Sequence, residues 1–529
     1  MKNKQFVWSP VFLTISLLLN ACTTLGPDFQ TPDAPKLERW QETDEPGITT
    51  EGPTDDREWW KVFNDPVLDR LIDTAYRQNL DLRIAGLRIL QAQAQLAIAV
   101  GAQYPQNQQA FGSATRTRAS ENPANTSPAL DQTFNNYELG FQAGWELDFW
   151  GRFRRNVESA EANLNASVAD YDNAMVSLTA EVARAYLQIR TFEQRIRLAQ
   201  ENVKLQQRSL DIVSVRFRNG AVSELDVQQA KSLLFTTKSL VPELQRGLRQ
   251  TQNGLAVLLG MMPGEIQGLL DGSEDADIPA APAQVAVGLP ADLLLRRPDI
   301  RSAELTAAVQ NAQIGIAQAD LYPSISLAGQ IGVQSENGSD LFETDSLFGS
   351  IGPGFSWNIL NYGRIKNNVR LQDAGLQQLL VDYSNTVLKA YQEVENAQSG
   401  FLRTQEQERY LADSVKASER SVAISMLQYR EGMIDYNRVT TIQGDLVDQQ
   451  DQWTQVRGGV VINLVSLYKA LGGGWQIREG KPFVPAQTIE AMRNRTDWGG
   501  LLPPEALPEG LPETPKPAAE QPFFQKVQW

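Results

Sequence analysis

The chain has 529 residues, of which 48 are Lys or Arg and 63 are Asp or Glu, giving a net charge of -15 with no histidine and a single cysteine. The acidic balance, unbroken by any basic run, speaks against a nucleic-acid partner, and the missing imidazoles remove His-based triads and HExxH zinc sites. One cysteine can form neither an internal disulfide nor a thiolate metal cluster. No metal site, cofactor or catalytic centre is expected.

Residues 1–21 read as a signal peptide: Lys2 and Lys4 form a cationic start, and Val11 to Leu19 is mostly apolar but too short to span a bilayer. Leu19-Asn20-Ala21-Cys22 looks like a bacterial lipobox, although Asn20 is an unusual choice there, so Cys22 is expected to be the acylated mature N-terminus. Thr23 follows instead of the Asp that resembles an inner-membrane retention signal, which favours the outer membrane. Multiple acyl chains anchor far better than one. Residues 22–65 are expected to form an N-terminal leader and equatorial segment, and after residue 21 no apolar run reaches 18 residues, so no transmembrane helix is expected in the mature chain.

An internal duplication organises the rest of the chain. Trp145-Glu-Leu-Asp-Phe-Trp-Gly151-Arg152 echoes Trp357-Asn-Ile-Leu-Asn-Tyr-Gly363-Arg364, a shift of 212 positions. Arg218-Asn-Gly220 and Arg430-Glu-Gly432 repeat the shift, as do Leu259-Gly260 and Leu471-Gly472. Two repeats are expected, 66–262 and 291–475, joined by a connector over 263–290 and followed by a Pro/Glu-rich tail, 476–529, that is equatorial or disordered.

Each repeat opens with a short helical stretch and then strand signals. From Tyr137 to Phe149, apolar residues alternate with Glu138, Gly140, Gln142, Gly144, Glu146 and Asp148, a period of two. Phe141, Trp145 and Phe149 are expected on a lipid-facing stripe, with Trp150 near the interface. Weaker alternation near 106–118, 323–334 and 346–360 brings the total to four strands. Bacterial membrane barrels have at least eight, so four cannot close alone.

Long proline-free helices come next. Val168, Met175, Val182, Ile189, Ile196, Val203, Leu210 and Phe217 keep a seven-residue repeat, and Leu380, Val387, Val394, Phe401, Val415, Val422 and Tyr429 repeat it, interrupted at Glu408. One helix over 153–219 would be about 100 Å long at about 1.5 Å per residue. Gly220 and Gly432 read as helix C-caps, making 216–228 and 428–441 hairpin tips. Ser223 and Asp226 are spaced as a capping box worth about 1 kcal/mol.

These residues resemble the TolC-like outer-membrane factors, in the NodT-type lipoprotein branch to which OprM and CusC belong. The resemblance rests on Gly26-Pro-Asp-Phe29, Trp59-Trp60 with Phe63-Asn-Asp65-Pro66, and Gly288-Leu-Pro-Ala-Asp-Leu-Leu-Leu-Arg-Arg-Pro-Asp-Ile-Arg301, and it covers nearly all of 22–475. It implies a mixed α and β fold: a homotrimer with a twelve-stranded transmembrane β-barrel and a long coiled-coil α-helical barrel projecting into the periplasm. It also implies a passive efflux duct without enzymatic activity, working with a periplasmic adaptor (membrane fusion) protein and an inner-membrane RND-type transporter. In the family the closed tips are held by Asp, Arg and Tyr contacts, which carries over to Asp226 and Tyr429. The chain departs from the pattern where aperture aspartates are replaced by Arg438 and Thr441. Position 438 is the repeat counterpart of Asp226.

Two other readings fit less well. A surface glycosidase would need a working carboxylate pair. Asp69 and Asp73, four apart on a helix and opposite its apolar face, read instead as solvated charges. A periplasmic scaffold lipoprotein would gain nothing from a sheet with an oily outer face.

Overall fold

The structure, a computed structural model, describes residues 23–43, 45–50, 57–120, 131–270, 277–282 and 284–502. Cys22, the signal segment and tail residues 503–529 lie outside the described residues. Contacts divide the chain into two compact units. One holds the chain up to Ala34, Gln91–Val168 and Ser302–Asn385; the other holds Pro35–Leu90, Ala169–Arg301 and the chain from Thr386 onward. This division cuts across the two expected repeats, because 66–262 and 291–475 each have residues in both units.

The first helix, α1 (Pro66–Gln78), starts where Asp65 accepts from the amides of Val67 (2.9 Å) and Leu68, with Pro66 at the first helical position. Its apolar stripe buries Val67, Leu68, Leu71, Ile72 and Ala75. Asp73 is exposed and pairs with Arg77 at 3.0 Å. Asp69 is not the solvated charge its spacing suggests: it is half-buried, one carboxylate oxygen has no hydrogen-bond partner, and burial pushes its carboxyl above the usual range. Helix α2 (Leu80–Gly101) follows after Asn79, whose side chain accepts from the Leu82 amide at 2.8 Å.

The strands β2 (Asn107–Arg118), β3 (Thr133–Leu147), β5 (Ser324–Ser335) and β6 (Leu347–Ser356) form one antiparallel sheet in the order β2-β3-β5-β6. A separate two-residue parallel pair joins β1 (Ile48–Thr49) of the leader to β4 (Val285–Ala286) of the connector. Helix α5 (Pro290–Arg296) leads into α6 (Pro298–Ala319). The long helices α3 (Arg152–Arg218) and α7 (Arg364–Arg430) have 67 residues each, and α4 (Glu224–Leu258) and α8 (Tyr436–Ala470) have 35 each. A last helix, α9 (Ala486–Arg493), belongs to the tail.

The seven-residue seam of α7 is buried at Val387, Val394, Phe401, Val415, Val422 and Tyr429. Its interruption, Glu408, accepts a hydrogen bond from the Trp453 indole at 2.8 Å. In α3 the seam is fully buried at Met175, Val182 and Ile189 but ends exposed at Phe217. Polar links cross the buried helices: Arg195 holds Asp451 through two bonds of 2.7 and 3.0 Å, and Asn202 donates to Gln450 at 2.7 Å.

The leader is pinned in both units. In the first, a Cβ on Gly26 would lie 2.5 Å from Gly315 Cα, so leader and α6 touch backbone to backbone. The buried Arg155 side chain donates to the carbonyls of Leu25 (2.9 Å) and Gly26 (3.0 Å) and pairs with Asp28. In the second, Trp40 donates to the Gly288 carbonyl at 3.0 Å. Arg297 binds both Asp299 oxygens, Glu393 and the Ala470 carbonyl.

Tail residues up to Leu502 are among those described. Val484, Ile489, Met492 and Leu502 form a core cluster with Leu90, and Arg478 makes a two-point ion pair with buried Asp172.

Candidate functional site

Register decides what the sheet offers. Phe141 pairs with Ala110 and Ile331, Trp145 with Leu327, Leu139 with Val333, and Ile325 with Phe355, so one face collects large apolar side chains. In the single chain this face is open: Phe141 is 68% exposed, Ile331 57% and Ile351 79%. On the other face Gln142 donates to Gln109 and Gln334 to Asn136, both at 2.9 Å, among Ser, Thr, Glu and Gly. The outer strands β2 and β6 leave their free edges unpaired among the described residues.

Two of the three stripe residues are where alternation puts them. Phe149 is not: β3 ends at Leu147, and Phe149 sits in a turn, its amide donating to the Leu147 carbonyl at 2.9 Å. The strand stops because Asp148 turns to cap the next helix, accepting from the amides of Phe153 and Arg154. The sixth strand likewise ends at Ser356, so 357–360 is not strand. At the sheet's end Trp145 donates to the Gln103 carbonyl and Trp357 to the Leu321 carbonyl, each at 3.0 Å, one residue before Tyr104 and Tyr322. Trp150 donates to the Pro323 carbonyl at 2.8 Å and stacks on Tyr322. Indoles with an apolar body and an anchored N–H suit a membrane interface.

At the tips, α3 and α7 each close with two backbone bonds. The Ala221 amide donates to Arg216 O and Gly220 to Phe217 O; Met433 donates to Gln428 O and Gly432 to Tyr429 O. The glycines take φ of 73° and 74°, the left-handed conformation this motif needs. Ser223 occupies the N-cap of α4 but makes no side-chain capping bond, so the capping box inferred from Ser223 and Asp226 does not form. The second tip is capped instead by Asp435, which accepts from the Arg438 amide at 2.9 Å.

Tyr429 packs edge-on against Tyr436, with centroids 5.2 Å apart, in a cluster with Val213, Val227, Ala230 and Val439. Arg216 lies over the Tyr429 ring at 4.6 Å and donates to its carbonyl. Burial pushes both tyrosine hydroxyls up, and the nearby Asp226 carboxylate adds to this. Within the chain Asp226 lies near Tyr429 and Tyr436, while Arg438 donates its backbone amide to Asp435. Sequence reasoning missed Arg216 and Tyr436; the available signal was that Tyr436 stands seven residues after Tyr429, one heptad step across the turn. The tips also differ, since Tyr429 is 2% exposed while its counterpart Phe217 is 42% exposed.

Comparisons with known proteins converge on one family. The model for the outer membrane efflux protein family matches residues 71–261 and 289–473. The chain is 31% identical over 468 residues to the pyoverdine export outer membrane protein OpmQ of Pseudomonas putida, covering 88% of this chain and 97% of that protein. It is 30% identical over 478 residues to nodulation protein T of Rhizobium leguminosarum bv. trifolii, covering 87% and 96%. Among solved structures it resembles the outer-membrane channel OprN, with a TM-score of 0.79 and 31% identity over 86% of this chain and all of that one. It also resembles CusC, with a TM-score of 0.73 and 26% identity over 85% of this chain and all of that one. On these matches, the two-faced sheet and paired long helices are those of an outer-membrane channel, and the chain belongs to the outer membrane efflux protein family.

Proposed function

We propose that three copies of this chain join their sheets into one twelve-stranded β-barrel and their helices into a coiled-coil tunnel. This makes the chain the passive outer-membrane exit of a tripartite efflux system, with no enzymatic step of its own. The observation that carries the reading is the four-stranded sheet with one exposed apolar face and two free edges. In hydrocarbon every backbone group must be paired, so such a sheet is complete only when closed by others. Elements of 67 and 35 residues recurring at a shift of 212 positions support two copies of one unit per chain, hence twelve helical columns in a trimer. A periplasmic adaptor protein and an inner-membrane RND-type transporter are the partners this role requires.

Cys22 is the proposed lipid attachment site; among the described residues, Thr24 lies against Gly151, where a Cβ would meet Thr24 at 2.7 Å. The purified protein should run in unheated detergent gels as a trimer that dissociates on boiling, and it should form discrete conductance steps in planar bilayers. A detergent-free monomer without conductance would refute the reading.

At the tips, Asp226 and Arg438 are proposed to meet between neighbouring copies, with Tyr429 supporting the closed arrangement. An exposed ion pair contributes at most about 1 kcal/mol, so several around the aperture are needed. Asp226→Arg should raise open probability, and adding Arg438→Asp should restore closure. A double variant no tighter than the single one removes this pair as the latch.

A further inference from the structure

One row of the sheet puts two phenylalanines on its more polar face. Phe111 pairs with Gly140, Gly140 with Gly332, and Gly332 with Phe348, giving Phe-Gly-Gly-Phe across all four strands. A Cβ on Gly140 would lie 2.9 Å from Phe111 Cζ, and one on Gly332 would lie 3.0 Å from Phe348 Cε1. Each ring therefore lies over the glycine of the neighbouring strand, and any side chain at either glycine would displace it. The glycines themselves pack backbone to backbone, since the same Cβ atoms would lie 2.7 Å from Ile331 O and 2.6 Å from Leu139 O.

By strand parity this row shares its face with Gln109, Gln142, Gln330 and Ser350 on one side and with Ser113, Glu138 and Gln334 on the other. Phe111 is the one residue of β2 that is half-buried, the others being exposed. Two flat aromatic surfaces thus stand side by side in a mostly polar lining, which also holds Phe134 farther along β3, and Glu138 follows Gly140 by two residues on that strand, about 7 Å of backbone at about 3.4 Å per residue.

We propose that this row is a contact site for planar aromatic cations passing through the channel: Phe111 and Phe348 stack on the ring system and Glu138 attracts the charge. The inference rests on the barrel reading, which turns this face toward the lumen and places three such rows, with six phenylalanines, around it. The site accepts cargo by ring face and charge, so it favours a class of solute and binds it weakly enough to release it.

Ethidium is a suitable probe, used with the intact trimer and with its photoreactive azide. Ethidium added from the barrel side of a bilayer should interrupt the current. Phe111→Leu with Phe348→Leu, which keeps apolar bulk but removes the ring faces, should shorten the interruptions about tenfold at unchanged unitary conductance. Glu138→Gln should lower their frequency without equal loss of duration. Photolabelling of the wild-type trimer with ethidium azide should mark peptides containing 107–118 and 347–356, a readout that does not depend on any variant assembling. Unchanged interruptions in the leucine variant, or label confined to other peptides, would overturn the proposal. A wild-type protein that gives no conductance would instead sink the barrel reading.

Discussion

Arg478→Ala should destabilise the protein by about 3 to 5 kcal/mol, because it strands the Asp172 carboxylate inside the protein without its cation. The pair is well enclosed: Arg478 bonds both Asp172 oxygens, and its guanidinium lies 5.0 Å from the Phe483 ring centroid and 5.5 Å from that of Trp475. Even with the pair intact, burial outweighs Arg478 and holds the Asp172 carboxyl above its ordinary value. A carboxyl raised in the folded state binds more protons there than in the unfolded state, so its contribution to stability falls as pH rises from the unfolded value through the folded one. Removing Arg478 takes away two influences that lower this value and widens that window. The deficit of Arg478→Ala should therefore be greatest at neutral pH and shrink on acidification, and adding Asp172→Asn should recover most of it. Unfolding transitions of the detergent-solubilised protein followed by circular dichroism at several pH values test this. A deficit independent of pH would show that lost stacking on Phe483, and not the stranded charge, is the cause.

Phe141→Arg should cost about 2 to 4 kcal/mol in each copy if Phe141 lies near the bilayer midplane, whereas Gln142→Arg should have a mild effect. The two positions are adjacent in sequence and differ only in the face they take. Phe141 stands 68% exposed beside Ala110 and Ile331, while Gln142 hydrogen-bonds Gln109 on the polar face. A buried arginine on the lipid side must be desolvated, and on the lumen side it remains in water. The measurement is the fraction of heat-dissociable trimer recovered from lipid vesicles across a urea series. Equal losses at the two positions would abolish the distinction between faces.

Some of this architecture could be read directly from the chain. A helix expected over 153–219 runs from Arg152 to Arg218, because seven-residue spacing and the absence of proline are properties of the local backbone. Alternation from Tyr137 located the third strand for the same reason. It overran at Phe149, because Asp148 is recruited to cap the helix that follows and periodicity carries no information about that competition. Ser223 has the spacing of a capping residue but makes no capping bond, whereas Asp435 at the corresponding position does. Asp69 and Asp73 look alike by spacing. Only packing around α1 leaves one half-buried and the other paired with Arg77 on the surface.

What the sequence by itself determined was periodicity: which segments are helix or strand, which stripe of each is apolar, and where glycines end the long helices. These follow from covalent geometry and side-chain spacing over a few residues. What only the tertiary structure decided was partnership across long separations. Tail residues around Val484 pack on Leu90, Gly26 presses on Gly315, and Phe111 reaches Gly140 while Phe348 reaches Gly332. Such contacts depend on register and on the shape of the complementary surface, and neither is encoded in the spacing of any one segment.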